Sequence, residues 1–442
     1  MINFVLVLLG ISVYSYIFFA AIYYNRLYKS LIKGHDRLDQ DKQIESTNQV
    51  EASPFLSDIR ISTNYLPSIT IIIPAYNEEQ VIIQCLNSIA KLEYQKLKVV
   101  VVDDGSIDQT AELVRGFIDQ HRLSPNPYQI DFYLLCQANQ GKGAALNNAI
   151  FDYTDSEIVG CLDADSEIDP QAIANAIKHF NLDNSIIAVS SYIDVIKKPS
   201  LFYWLQKIEY LIAFGLKKGV TRANMDYLLP GPGSFFLRES ILEIGGYDHD
   251  TITEDLGLSL KIVDSELENK KLYFASDVIT RTEPVSSWQD LYRQRKRWIR
   301  GWFQNLLRYR NLLLSTDKKH SWQLTVFYLP YLVISQFFGV FQISILVVTM
   351  VIGLIAGNPW ILVIQIVSIQ ALVLYFIFSD VNLGPKSERW KLSLGSFSVI
   401  GMLVGLNLLQ AGITVGEYGR MLWGIVRPDI KDSGRWQHVS RG

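Results

Sequence analysis

Apolar runs of two lengths divide this chain. Between residues 68 and 170 the runs are short and unbroken: "SITIIIPAYNEE", "LKVVVVDDGS", "IDFYLLCQ" and "EIVGCLDADSEI", separated by amphipathic stretches such as Glu79 to Lys91. A strand without polar alternation has both faces covered, and such strands alternating with helical patterns build a parallel sheet between helical layers. The predicted fold class is α/β, doubly wound, in which ligands meet the carboxyl ends of the strands. Those ends carry Pro74, Ala75, Tyr76, Asn77 and Glu78, then Asp103 and Asp104, then Lys142, then Asp163 and Asp165.

The other runs are long. No charged residue occurs from Met1 to Asn25, from Ser321 to Ser379 or from Leu392 to Gly416. A crossing helix needs about 20 apolar residues, so the first and last runs fit one crossing each and the middle run two or three. The first run lacks the basic start of a cleaved signal and reads as an anchor; Arg26, Lys29 and Lys33 after it place the next segment in the cytoplasm. The expected organisation is an N-terminal transmembrane helix (1–25), a cytosolic linker (26–67), the α/β domain (68–286), an amphipathic helix (287–312), a transmembrane region (321–416) and a tail (417–442). That is a multi-pass protein of the plasma or inner membrane with its α/β domain in the cytoplasm. Basic stretches on both sides of Leu392 to Gly416 leave the side of the C-terminus open.

Composition narrows the partners. The formal net charge is −3, with 41 basic and 44 acidic side chains, so no basic field marks the chain for nucleic acid. Cys85, Cys136 and Cys161 have no metal-like spacing and read as reduced thiols, and the six histidines are scattered, which argues against zinc.

The polar residues at the strand ends have a bland and a chemical reading each. Asp163-Ala164-Asp165 is either an Asx turn or, in extended chain, two carboxylates that point the same way and share one divalent cation beside a diphosphate. Asp103-Asp104-Gly105-Ser106 is either a helix-capping turn or a pair of repelling carboxylates, one of which a nucleobase imide would relieve. Lys142, in Gln140-Gly141-Lys142-Gly143, opens a helix either as an exposed side chain or as a diphosphate ligand. Thr253-Glu254-Asp255 begins an amphipathic helix with Thr253 as N-cap, and a carboxylate there beside bound anions has the raised pKa of a general base.

Between Trp288 and Arg310, aromatic and aliphatic residues at helical spacing oppose Arg293, Lys296, Arg297, Arg300, Arg308 and Arg310, the pattern of an interfacial helix. Gln294, Arg297 and Trp298 share one side of it, where an amide, a guanidinium and an indole can hold a hydroxyl, a phosphate and a sugar face.

Asp103-Asp104-Gly105-Ser106, Asp163-Ala164-Asp165, Thr253-Glu254-Asp255 and Gln294-Arg295-Lys296-Arg297-Trp298, in this order, resemble the motifs of the membrane-bound, processive family 2 glycosyltransferases. These are the cellulose, chitin and hyaluronan synthases and the bacterial poly-β-1,6-N-acetylglucosamine synthases, the last being the branch this chain looks most like. The resemblance covers residues 68 to 310. It implies a GT-A-like nucleotide-sugar-binding domain, a UDP-sugar donor (UDP-N-acetylglucosamine as first choice), a growing polysaccharide as acceptor, surrounding membrane lipid and an accessory subunit as a further candidate partner.

By the same resemblance Pro74 to Glu78, Asp103, Asp104 and Lys142 line the donor site, with the Asp103-Asp104 pair at the uracil end. Asp163 and Asp165 bind Mg2+ or Mn2+ on the diphosphate. Glu254 and Asp255 are the catalytic acids, with Asp255 as the base of an inverting displacement. Gln294, Arg297 and Trp298 hold nucleotide and acceptor. Two rivals share part of this pattern: a non-processive enzyme acting on a lipid acceptor, and an inactive nucleotide-sugar-binding subunit of an export complex.

Overall fold

The computed structural model describes residues 66–336 and 351–426, apart from 124–127, 129, 268–270, 354, 359 and 381, together with residues 21, 22 and 348. The expected N-terminal membrane helix, apart from residues 21 and 22, lies outside the described residues. So do the linker up to residue 65, residues 337–347, 349 and 350, and the tail beyond 426.

The first half of the α/β domain is parallel, as expected. Strand β1 (Ile69–Ala75) lies between β2 (Leu97–Asp103) and β4 (Ile158–Cys161), with β3 (Asp131–Cys136) outside β2. Alternate residues of β1 serve opposite layers, following the two-residue period of a strand. Ile69, Ile71 and Ile73 join a core with Ile82, Leu86 and Ile89 of α1 (Ile82–Ile89) and with Val114 and Ile118 of α2 (Thr110–Leu123). Ile72 joins the opposite core with Ala145, Leu146 and Ile150 of α3 (Lys142–Asp152). Strand order reverses at β1, so the loops after β1 and β4 flank the crevice where such sheets bind ligands.

The second half departs from the parallel expectation. It contains β5 (Ser166–Ile168), α4 (Ala172–Leu182), β6 (Ile186–Val195), α5 (Leu201–Arg222), β7 (Ser234–Leu237), α6 (Arg238–Glu243), α7 (Glu254–Asp264) and β8 (Lys271–Thr282). The sheet order is β3-β2-β1-β4-β7-β6-β8-β5. β7 runs antiparallel to β4 and to β6, β5 runs antiparallel to β8, and β6 and β8 are parallel. An unbroken apolar run records burial on two faces but not the direction of its neighbour, so the sequence pattern is silent on this change.

Helix α8 (Trp288–Arg308) starts at Ser287, whose Oγ accepts the Asp290 N–H at 3.1 Å. Its apolar stripe forms, but protein covers much of it. Leu291 and Phe303 are buried, Trp302 packs against the cluster holding Leu256, Leu260 and Leu312, and the Phe303 ring meets Tyr418 at 4.6 Å. Trp288, Tyr292 and Leu307 stay exposed. Protein thus covers part of the apolar stripe of this helix.

Two further helices, α9 (Trp360–Ser379) and α10 (Lys386–Val426), pack on α5 through Leu205, Ile208, Leu211, Phe376, Ile377, Leu392 and Leu403. The turn between them is pinned to the α/β domain. Lys218 Nζ lies 3.3 Å from Asp380 Oδ1, Tyr192 Oη donates to Asp380 Oδ2 at 3.0 Å, and the Asn382 N–H donates to Asp380 Oδ1 at 2.8 Å. Among the described residues no single helix is long and apolar enough to cross a membrane; Lys386–Val399 and Gly401–Arg420 reach that length together, bent by 59°.

Candidate active site

The loops after β1 and β2 are cross-stapled. Pro74 and Ala75 close β1 in register with Val102 and Asp103. Asn77 takes a left-handed conformation (φ 56°); its N–H donates to Ser106 Oγ and its Oδ1 accepts the Ile107 N–H, both at 2.9 Å. The Glu78 N–H donates to Thr110 Oγ1 at 2.8 Å. The stretch Tyr76-Asn77-Glu78 is therefore a fixed rim, set by backbone contacts to the Asp103-Asp104 loop.

The two adjacent aspartates have different employment. Asp104 is fully buried and accepts Gln137 Nε2 at 2.8 Å, the Gln140 N–H at 2.9 Å and the Gly141 N–H at 2.8 Å. Its carboxylate braces the loop that leads into α3. Asp103 keeps a buried Oδ1 with no hydrogen-bond partner among the described residues. A buried acceptor without a donor costs stability, so of the pair Asp103 is the one suited to an incoming N–H.

The loop that Asp104 holds ends at Gly141, whose φ of 94° is open to glycine at little cost. That turn delivers Lys142 into a cluster of acids. Lys142 Nζ lies 2.8 Å from Asp163 Oδ1 and 2.7 Å from Glu254 Oε1. Burial works to strip its proton, but Asp163, Glu254 and Asp255 outweigh burial and hold its pKa well above the usual lysine value. Of the two readings of Lys142, the exposed side chain at a helix entry does not hold.

Asp163 and Asp165 do not lie in extended chain. Residues 164 and 165 form a turn, with the Ser166 N–H bonded to Asp163 O at 3.0 Å, because β4 stops at Cys161 and β5 leaves it to pair with β8. Asp163 meets Lys142, while Asp165 accepts Ser166 Oγ at 3.1 Å and Thr282 Oγ1 at 3.3 Å. Among the described residues no three His, Cys, Asp or Glu side chains gather into a metal cage. Two carboxylates do suit Mg2+ or Mn2+ when phosphate oxygens complete the shell, which is how magnesium sites on nucleotides are built. The donor set fits such an ion.

Asp255 is held from two sides: the Leu256 N–H donates to Oδ1 at 2.8 Å and the Gly231 N–H to Oδ2 at 3.1 Å. Burial, and after it the charge of Glu254, push its pKa up to about 6, against the pull of Lys142. A carboxylate tuned toward neutrality has the basicity that general-base catalysis uses. Thr253 stands at the N-cap position of α7, but its side chain does not cap the helix.

The three residues expected to share one side of α8 meet different surroundings. Gln294 is buried, its Oε1 accepting Gln206 Nε2 of α5 at 3.4 Å. Arg297 has a buried Nε with no hydrogen-bond partner among the described residues. Trp298 carries Arg295 over its ring at 4.2 Å, and Arg295 in turn pairs with Glu209 at 2.6 Å. Sequence reasoning passed over Gly231, Arg295 and Asn147, whose side chain clamps Tyr247 through both its amide atoms at 2.8 Å. The Pro230-Gly231-Pro232-Gly233 stretch signals a turn, but nothing in it points to Asp255.

The carboxylates after β4 and at the start of α7 thus surround one lysine in a mixed α/β fold. Two family models match overlapping stretches: "Glycosyl transferase family 2" over residues 70–245 and "Glycosyl transferase family group 2" over residues 158–377. The chain belongs to glycosyl transferase family 2.

Poly-beta-1,6-N-acetyl-D-glucosamine synthase of Staphylococcus aureus (strain COL) is 30% identical to this glycosyltransferase over 268 residues, covering 58% of this chain and 61% of the relative. The synthase of the same name from Staphylococcus epidermidis is 28% identical over 262 residues. The match therefore spans about three fifths of the length of these relatives. Among solved structures, a mannosyltransferase from Pyrobaculum calidifontis in complex with GDP-Man and Mn2+ shares the fold. Its TM-score is 0.53 at 20% identity, over 95% of this chain and 99% of that one.

Proposed function

We propose that this glycosyltransferase is embedded in the cell membrane and polymerises sugar from a UDP-sugar, UDP-N-acetylglucosamine as first choice, into a surface polysaccharide. The observation that carries the reading is the gathering of Asp163, Glu254 and Asp255 around Lys142, in a chain similar to poly-N-acetylglucosamine synthases. Embedding is supported by the long uncharged runs of the sequence.

In this reading Asp103 receives the nucleobase, and Asp163 with Asp165 holds Mg2+ or Mn2+. That ion, when bound, offsets charge on the leaving diphosphate. Lys142 and Arg297 add positive charge on the same leaving group. Asp255 takes the proton from an acceptor hydroxyl as its oxygen bonds to the anomeric carbon, the bond to the diphosphate breaks, and UDP departs with inversion. Gln294 and Trp298 serve the acceptor side, and Glu254 fixes Lys142.

The test incubates membranes holding the full chain with a panel of radiolabelled nucleotide sugars. The expected product is long polymer from a UDP-sugar. A small, solvent-extractable glycolipid instead would assign a lipid acceptor, and no transfer from any donor would contradict the reading.

A further inference from the structure

Helix α8 carries Gln294, Arg297 and Trp298 in its first half, and its second half grips the segment that leads to Asp255. Asn305 is fully buried and sits at the centre of that grip. Its Nδ2 donates to Thr253 O, to Thr253 Oγ1 and, along its own helix, to Gly301 O, each at 3.0 Å. Around it, Gln304 Oε1 accepts the Ile252 N–H at 3.1 Å, Arg308 Nε lies 3.2 Å from Asp248, and Tyr309 Oη donates to Asp248 at 2.7 Å. Gly301 permits the approach, since a Cβ there would lie 2.2 Å from Thr253 Oγ1.

The amide orientation is decided by its neighbours. Turned over, Asn305 would set Oδ1 against two carbonyl oxygens. As it stands, Oδ1 is buried without a hydrogen-bond partner among the described residues, near where a side chain on Gly257 would reach. A buried acceptor left unpaired costs stability, whereas a leucine of similar size would fill the space without that cost. What the amide supplies is direction: it draws Thr253 Oγ1 away from capping α7 and ties the residue next to Glu254 and Asp255 to α8.

We propose that Asn305 is a positioning residue for transfer, fixing Thr253 and through it the Asp255 carboxylate relative to the helix that bears Gln294, Arg297 and Trp298. This rests on the reading of Asp255 as base. An acceptor sugar held by α8 cannot follow a carboxylate that drifts, but a water molecule can. Loosening the tie therefore slows transfer to the acceptor more than hydrolysis of the donor by water.

The test uses the full chain in membranes, with Asn305→Asp (same shape, no N–H pair) and Thr253→Val (same size, one acceptor lost). Rates are expressed per UDP-binding site. Asn305→Asp is expected to lower transfer kcat by about 10²-fold, the cost of about 1 Å of misplacement. Donor KM should stay within about threefold, and the ratio of transfer to hydrolysis should fall; Thr253→Val should shift the same ratio less. Unfolded protein would reduce the number of UDP-binding sites and leave both rates per site, and their ratio, alone. An unchanged ratio in Thr253→Val and in whatever Asn305→Asp folds overturns the proposal. Asp255→Asn run alongside separates the two failures: if it still transfers, the base assignment falls; if it is inactive while the other variants match wild type, only the role of Asn305 falls.

Discussion

Lys142 and Lys218 are both enclosed ammonium groups, set in opposite surroundings. Lys218 on α5 is paired with Asp380, which Tyr192 and Asn382 also hold. Lys142 at the start of α3 meets Asp163 and Glu254 directly and feels Asp255 as well, so one positive charge meets three negative. A balanced buried pair fixes how elements dock, here the α9–α10 turn on the α/β domain. A surplus of carboxylate in a cleft is unfavourable until cations and donors arrive, and perturbed groups of that kind mark chemistry.

The strongest way to break this contrast is at the acids. Asp255→Asn should reduce transfer by about 10²–10⁴-fold, the contribution of one positioned base, while UDP still binds; a loss below tenfold in a radiolabel assay would remove Asp255 from that role. Asp380→Ala acts on the balanced pair and should cost about 3–5 kcal/mol of stability by leaving Lys218 uncompensated. Denaturant unfolding would show that loss, with turnover per folded molecule unchanged; lost turnover without lost stability would reverse the contrast.

A smaller effect concerns pH. Asp255 must be ionised to accept a proton, and its pKa stands at about 6, so transfer should decline as pH falls through that value. Lys142 is one of the influences holding the pKa down, so Lys142→Met should move the acid limb of the pH–rate profile upward. A limb that stays in place would show that the two groups do not share a site during turnover.

Strand ends were the legible part of this molecule. Unbroken apolar runs stopping at Ala75, Asp103 and Cys161 located the carboxyl edge of the sheet, and with it Asp103, Asp163 and Lys142. Adjacent residues with different partners were not legible: nothing in Asp103-Asp104 says that the second is consumed by Gln137, Gln140 and Gly141. Contacts between distant segments were hidden for the same reason. Thr253 reads as a helix cap in its own neighbourhood, and only the arrival of Asn305, 52 residues on, turns its hydroxyl elsewhere. Amphipathic periodicity showed that α8 has an apolar face, but not that α7 and α10 would cover much of it, since lipid and protein ask for the same side chains.

The most direct test of the charge-surplus account is a titration of UDP into the wild-type chain and Asp163→Asn, with Mg2+ or Mn2+ and then with excess chelator. The account predicts that wild-type affinity falls at least about tenfold, or ~1.4 kcal/mol, when the metal is removed, and that the variant barely responds. Wild-type protein that binds UDP equally tightly in chelator would contradict it.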